Sequence, residues 1–161
     1  MPMKRECNDY LYLTRKRLRN YCYYCEAIKN LTQELDDIQA GLRAVSIASP
    51  GFGAGGGKGE LNSTEREAAL RIEQKNKYME LACERTKLRQ QTEKLKSAMG
   101  KLPKEEQEAI RLFFFEGMDY SAITRVQPWS LRTSQRRVNE AVHKVALMLF
   151  GTRATQNVAF V

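Results

Sequence analysis

Arg132, Thr133, Arg136 and Asn139 fall on one side of a single helical period, with His143 continuing the stripe and Gln135 and Arg137 on its flanks. Those residue types at that spacing suit the reading of a DNA duplex. Arginine pairs bidentately with guanine, asparagine and glutamine pair with adenine, and threonine serves either partner type or a thymine methyl. The opposite side of the segment is small and apolar. It consists of Leu131, Ser134, Val138, Ala141, Val142, Val145 and Leu149, stepping by three and four. Such a stripe is expected to pack inward, here on Ile110, Phe113, Phe114 and Ile123. From Arg125 to Lys144 there are five Lys/Arg against Glu140 alone. An ordinary solvated helix face is the plainer explanation of a charged stripe, and the elements around it bear on the choice.

The spacing predicts three helices between residues 102 and 149. The first covers 103–116, a short second covers 120–126, and the third covers 131–149. Pro103 suits a helix start, where no N–H partner is needed. Gly117 can adopt the left-handed conformation that ends a helix. Asp119 and Ser130 are suited to cap the second and third helices. A short helix, a tight turn and a longer basic helix form the unit that places a helix in the major groove. On this reading Arg132, Thr133, Arg136 and Asn139 contact base edges, while Arg125, Ser130, Gln135, Arg137 and Lys144 hold phosphates and set the register.

The order of LP, an acidic helix, EG, YSAI, WS and a basic helix carrying Ala141 resembles region four of the sigma factors. It is more closely similar to small phage transcriptional regulators of the ArpU and RinA families, which join a helical N-terminal part to a sigma-like C-terminal helix-turn-helix. The resemblance covers about the last third of the chain. It implies a sequence-specific DNA-binding regulator, phage or prophage encoded, with RNA polymerase as a further candidate partner. Two departures stand out. Gln127-Pro128-Trp129 replaces the usual small turn, and Ser134 occupies a position where an apolar residue is common.

Composition agrees with a nucleic-acid partner. The 161 residues carry a net charge of +8 and a pI near 9.4, a balance that favours polyanions. No apolar run reaches membrane-spanning length, and MPMKRECNDY lacks the apolar core of a signal peptide. The expected location is the cytoplasm, of a bacterial host if the chain is phage encoded. Cys22 and Cys25 form a CxxC inside a helical pattern, with Cys7 and Cys83 elsewhere. A zinc site needs two more ligands, and reduced thiols on a helix seam explain the pair without metal. No metal or cofactor is expected. Nor is an enzyme: His143 is the single histidine and has no acid or nucleophile at fixed spacing. Glu105, Glu106 and Glu108 lie in a first helical turn, where acids stabilise the positive end.

The N-terminal part, residues 1–99, reads as an arm. Residues 3–45 are expected to form one long helix with a seam of Leu18, Tyr21, Cys25, Ile28, Leu31, Leu35, Ile38, Leu42 and Val45. Its tyrosines fit packing better than base stacking. Its basic run of Arg15, Lys16, Arg17 and Arg19 fits phosphate contact and a solvated face equally well. Residues 46–62 form a glycine-rich loop whose GGGKG lacks the first glycine and the Ser/Thr of a phosphate-binding loop. Residues 63–99 resume as a second long helix, opened by a Thr64–Glu67 capping box. Leu70, Tyr78, Leu81, Leu88, Leu95 and Met99 form its main stripe, and Ile72, Met79 and Cys83 form a weaker one. The expected fold is all-α: an antiparallel hairpin or coiled-coil arm, a helix-turn-helix domain at 101–150, and a tail at 151–161. The second stripe leaves apolar surface for self-association as a homodimer or larger oligomer. Two other functions fit the same pattern. One is a small terminase-like DNA-packaging subunit, and the other is a coiled-coil protein-interaction module.

Overall fold

A computed structural model of the chain describes residues 9–47 and 63–154. Every element among them is helical. In order they are α1 (Asp9–Arg19), α2 (Tyr21–Ile47), α3 (Ser63–Gly100), α4 (Lys104–Ile110), α5 (Tyr120–Val126) and α6 (Leu131–Phe150). A π-helical turn (Arg111–Phe115) follows α4, and a 3-10 turn (Gly151–Ala154) follows α6. The glycine-rich stretch from 48 to 62, the Thr64 side chain, Cys7 and residues 155–161 lie outside the described part.

The first long helix is divided at Asn20. Backbone hydrogen bonds nevertheless bracket the division, from Asn20 N–H to the Lys16 carbonyl at 3.1 Å and from Tyr24 N–H to the Asn20 carbonyl at 2.9 Å. Helical phase therefore carries from α1 into α2. The helix expected over 103–116 is likewise not uniform. It is α-helical to Ile110 and then widens, with Glu116 N–H bonding to the Arg111 carbonyl at 3.0 Å. Three consecutive phenylalanines occupy the widened turn. Phe113 stacks on Tyr120 at 4.8 Å, Phe114 meets Phe113 edge-on at 4.9 Å, and Phe115 stacks on Tyr21 at 5.3 Å.

The chain divides into two compact units. One comprises residues 1–25 with 90–161, the other 26–89, so the division falls within α2 and within α3. Among the described residues of the first unit, one buried cluster joins several helices. Leu18 of α1, Leu95 and Ala98 of α3, Leu102, Ala109 and Ile110 at α4, and Val138, Ala141, Val142 and Val145 of α6 are buried together. Leu18 and the α6 residues are wholly inaccessible. Burying one such leucine contributes roughly 1.5–3 kcal/mol, so α1 and the end of α3 are structural partners of α6. Ile123 of α5 and Ser134 of α6 are also fully buried. The Ser134 hydroxyl donates to the Ser130 carbonyl at 3.1 Å, which is how a polar residue occupies an apolar position without an orphaned donor.

In the second unit Leu35 is buried to 1% exposure and Lys77 pairs with Glu34 at 2.8 Å. Leu42, Tyr78 and Met79 line a shallow groove there. Leu70, Ile72 and Met79 stay largely exposed, at 54%, 60% and 69%. Leu70 thus departs from the inward stripe expected of it. Thr92, which interrupts that stripe in sequence, is buried instead. No described helix is long and apolar enough to cross a membrane.

Candidate nucleic-acid interface

The candidate interface is built on α5, a short turn and α6. Asp119 caps α5, its Oδ1 accepting from Ala122 N–H at 2.6 Å. Gly117 precedes it at φ 68°, a left-handed conformation that lets the chain reverse after the phenylalanines. Ser130 caps α6, its Oγ accepting from Thr133 N–H at 3.1 Å and sharing a hydrogen bond with the Thr133 hydroxyl at 2.9 Å. Between the helices Gln127 is extended, as the residue before a proline should be. Trp129 N–H closes the turn on the Gln127 carbonyl at 2.7 Å. The Gln127 amide donates to Glu108 at 3.3 Å, tying the turn to α4.

Burial of Val138, Ala141, Val142 and Val145 fixes the roll of α6 about its axis. The opposite stripe of Arg132, Arg136, Asn139 and His143 is exposed. The Arg136 side chain is 68% exposed, and its nearest acid is Glu140 at 3.7 Å. Gln135 is exposed beside it, and Arg125 is exposed in the last turn of α5. Thr133 is half-buried, its hydroxyl engaged by the cap. Leu131 differs from its sequence expectation. It is 48% exposed, because it stands at the first position of α6, beyond the reach of the core.

Arg137 and Lys144 lie on the flank that faces α4, seven residues apart and therefore on one line. Arg137 pairs with Glu105, its side chain only 19% exposed, and its guanidinium lies over the Trp129 ring at 4.5 Å. Lys144 pairs with Glu106 at 2.5 Å, and the Glu106 side chain is only 10% exposed. Arg137 Nε and Glu106 Oε2 are buried without a hydrogen-bond partner. Nothing in local spacing points to these pairs, because the partners are 32 and 38 residues apart. Further along α4, Glu108 accepts from Arg111 Nε at 2.9 Å. That hydrogen bond, the positive charge beside it and the Gln127 amide hold the Glu108 carboxyl below the usual carboxylate range.

The N-terminal helix also reaches this surface. Arg15 of α1 donates to Asn139 Oδ1 at 2.7 Å. Tyr10 packs against Phe150 at 5.0 Å, and Arg17 lies over the same ring at 5.1 Å. The sequence shows a basic run here but carries no sign of where it points, since Arg15 and Asn139 are 124 residues apart.

Comparison of the chain with protein families, curated proteins and solved structures finds no match. The other candidate chemistry is sparse. Cys22 is exposed, and Cys25 is half-buried near Tyr21, whose phenol is pushed up chiefly by burial. Among the described residues no group of three His, Cys, Asp or Glu side chains could hold a metal ion.

Proposed function

We propose that the chain is a sequence-specific DNA-binding transcriptional regulator of the phage type that its ArpU- and RinA-like motifs suggest. In this reading α5 and α6 act as a helix-turn-helix, and α6 enters the major groove. The observation that carries the proposal is the exposed stripe of Arg132, Arg136 and Asn139, set opposite a wholly buried apolar face at the start of a serine-capped helix. Groove-reading helices present base-contacting residues in this way, from their N-terminal half. Arg125 and Gln135 flank the stripe and hold phosphates. Ser130 caps the helix, and Arg137 and Lys144 brace it against α4, so these three are positioning residues. The exposed Leu70, Ile72 and Met79 support self-association through the unit formed by residues 26–89. A homodimer would pair two half-sites, and contact with RNA polymerase remains part of the proposal.

A gel-shift titration over a randomised duplex library tests the reading. The full chain selects a motif, and Arg136→Ala lowers affinity for it by about 1–3 kcal/mol while relaxing preference at one base pair. Selection of no motif, or an Arg136→Ala profile identical to wild type, refutes the assignment. Mass in solution separates the packaging alternative, since a ring of many subunits favours packaging and a dimer favours regulation.

A further inference from the structure

We infer that α1 is a second DNA-contacting element, which grips a phosphate strand at the edge of the groove that α6 enters. The inference rests on the proposed function of α6 and extends it to a part of the chain far away in sequence. Helix α1 carries Arg15, Lys16, Arg17 and Arg19 with Asp9 as its one acid. Two of these cations have a defined direction. Arg17 turns back onto the Phe150 ring. Arg15 crosses to α6 and donates to Asn139, within the exposed reading stripe. Its guanidinium has five N–H donors in a planar fork, so the single bond to Asn139 leaves it donors for a second acceptor. Arg19 lies one helical turn beyond Arg15 and is exposed.

Beside them runs a stripe of Tyr12, Lys16, Arg19 and Tyr23, spaced by four, three and four residues. All four are exposed, the two tyrosines at 61% and 74%. The hydrogen bonds bracketing Asn20 keep this stripe in phase across the joint between α1 and α2.

The geometry selects phosphate over base. An α-helix with its side chains is about 10–12 Å across, and the major groove is about 12 Å wide. Helix α6 alone fills the groove. A helix packed on its flank, with Arg15 reaching its exposed stripe, therefore meets the strand that borders the groove. Arginine, lysine and tyrosine are all phosphate-binding types. The expected occupant is the duplex already engaged by α6.

The test is the salt dependence of binding by the full chain to a random-sequence duplex, from about 50 to about 200 mM salt. Arg15→Gln combined with Arg19→Gln is expected to reduce the slope of log affinity against log salt by about 2, near one unit per lost phosphate contact. Arg15→Lys with Arg19→Lys retains the wild-type slope. Lys87→Gln with Arg89→Gln removes two exposed charges from the other unit and is expected to leave the slope unchanged.

Glutamine at position 15 still offers a donor to Asn139. A slope retained in the glutamine variant would therefore mean that Arg15 merely positions Asn139, and the inference would fall. It would fall equally if the Lys87/Arg89 control lowered the slope as much, because net charge alone would then suffice. In both cases Arg136→Ala still tests α6 separately. Absence of salt-dependent binding by the wild-type chain would overturn the DNA reading itself, and the α1 inference with it.

Discussion

Arg136 and Arg137 are neighbours in sequence with opposite surroundings, and replacing each by alanine separates reading from bracing. Arg137 gives up a guanidinium stacked at 4.5 Å on Trp129 with its side chain 19% exposed. A partly desolvated cation–π contact of this kind contributes about 1–2 kcal/mol. Its ion pair adds only about 0–1 kcal/mol, because the Glu105 side chain is 67% exposed and solvent screens the attraction. Loss of the packed aliphatic stem adds a further fraction. The sum is about 1–3 kcal/mol, which for a chain of this length lowers Tm by about 2–12 °C. Arg136 is 68% exposed and loses a helix pair to Glu140 at 3.7 Å, at a cost of about 0.3–0.5 kcal/mol.

Thermal melts followed by circular dichroism read stability. Fluorescence anisotropy on the selected duplex, well below Tm, reads binding. Arg136→Ala is expected to melt with wild type and bind about 5–150-fold more weakly. Arg137→Ala is expected to melt early and keep the wild-type base preference. If Arg137→Ala melts with wild type, or if Arg136→Ala is the less stable of the two, the assignment of faces on α6 is wrong. Arg137→Lys does not rescue Arg137→Ala fully, because an ammonium lacks the planar surface that stacks on the indole.

Leu18→Ala, at a wholly buried site in α1, should destabilise the unit containing α6 by about 2–5 kcal/mol. Denaturant melts monitored at Trp129 report it, and an unshifted midpoint would show that α1 contributes nothing to that core. Ser130→Ala removes the α6 cap and should cost about 0.5–2 kcal/mol, whereas Ser130→Asp should retain most of the stability. Equal losses in both would rule out the capping role. The depressed Glu108 pKa gives a pH prediction. Because the folded value lies below the unfolded one, its stabilisation is fully present above the unfolded carboxylate pKa of about 4.3 and is lost as pH falls through the folded value. Arg111→Ala removes the main cause of the depression. Its stability should therefore lie below that of wild type at neutral pH, with the gap closing as pH falls through the folded value, and a gap that does not change with pH would contradict the pairing.

Much of the local architecture was legible in the sequence because its signals are local. Asp119, Ser130, Gly117 and the apolar period of α6 each act within a few residues, and the structure has them as caps, a left-handed turn and a buried face. Local signals mislead where bulk or a helix end intervenes. A π-turn at the three adjacent phenylalanines replaces the last turn of the first expected helix. Leu131 has the period of the core but stands one position too early to reach it.

The less legible part is which seam meets which. A stripe at three- and four-residue spacing states that a helix face will be covered, without naming the cover. Leu18 and Leu95 sit on such stripes, and a two-helix arm ending at residue 99 is a natural solution for both. In the structure they share a core with Val138 and Val142 of α6. The reason is quantitative: residues 101–150 alone would bury only a marginal core, since even a domain of about 60 residues is marginal. The ends of the long helices supply the missing apolar surface. The same arrangement brings Arg15 to Asn139, so the cover that stabilises α6 also decides which cations stand beside its exposed face. A fragment limited to residues 101–150 should therefore unfold at lower denaturant than the full chain and lack the positive rim that α1 provides, and an unchanged midpoint would refute this.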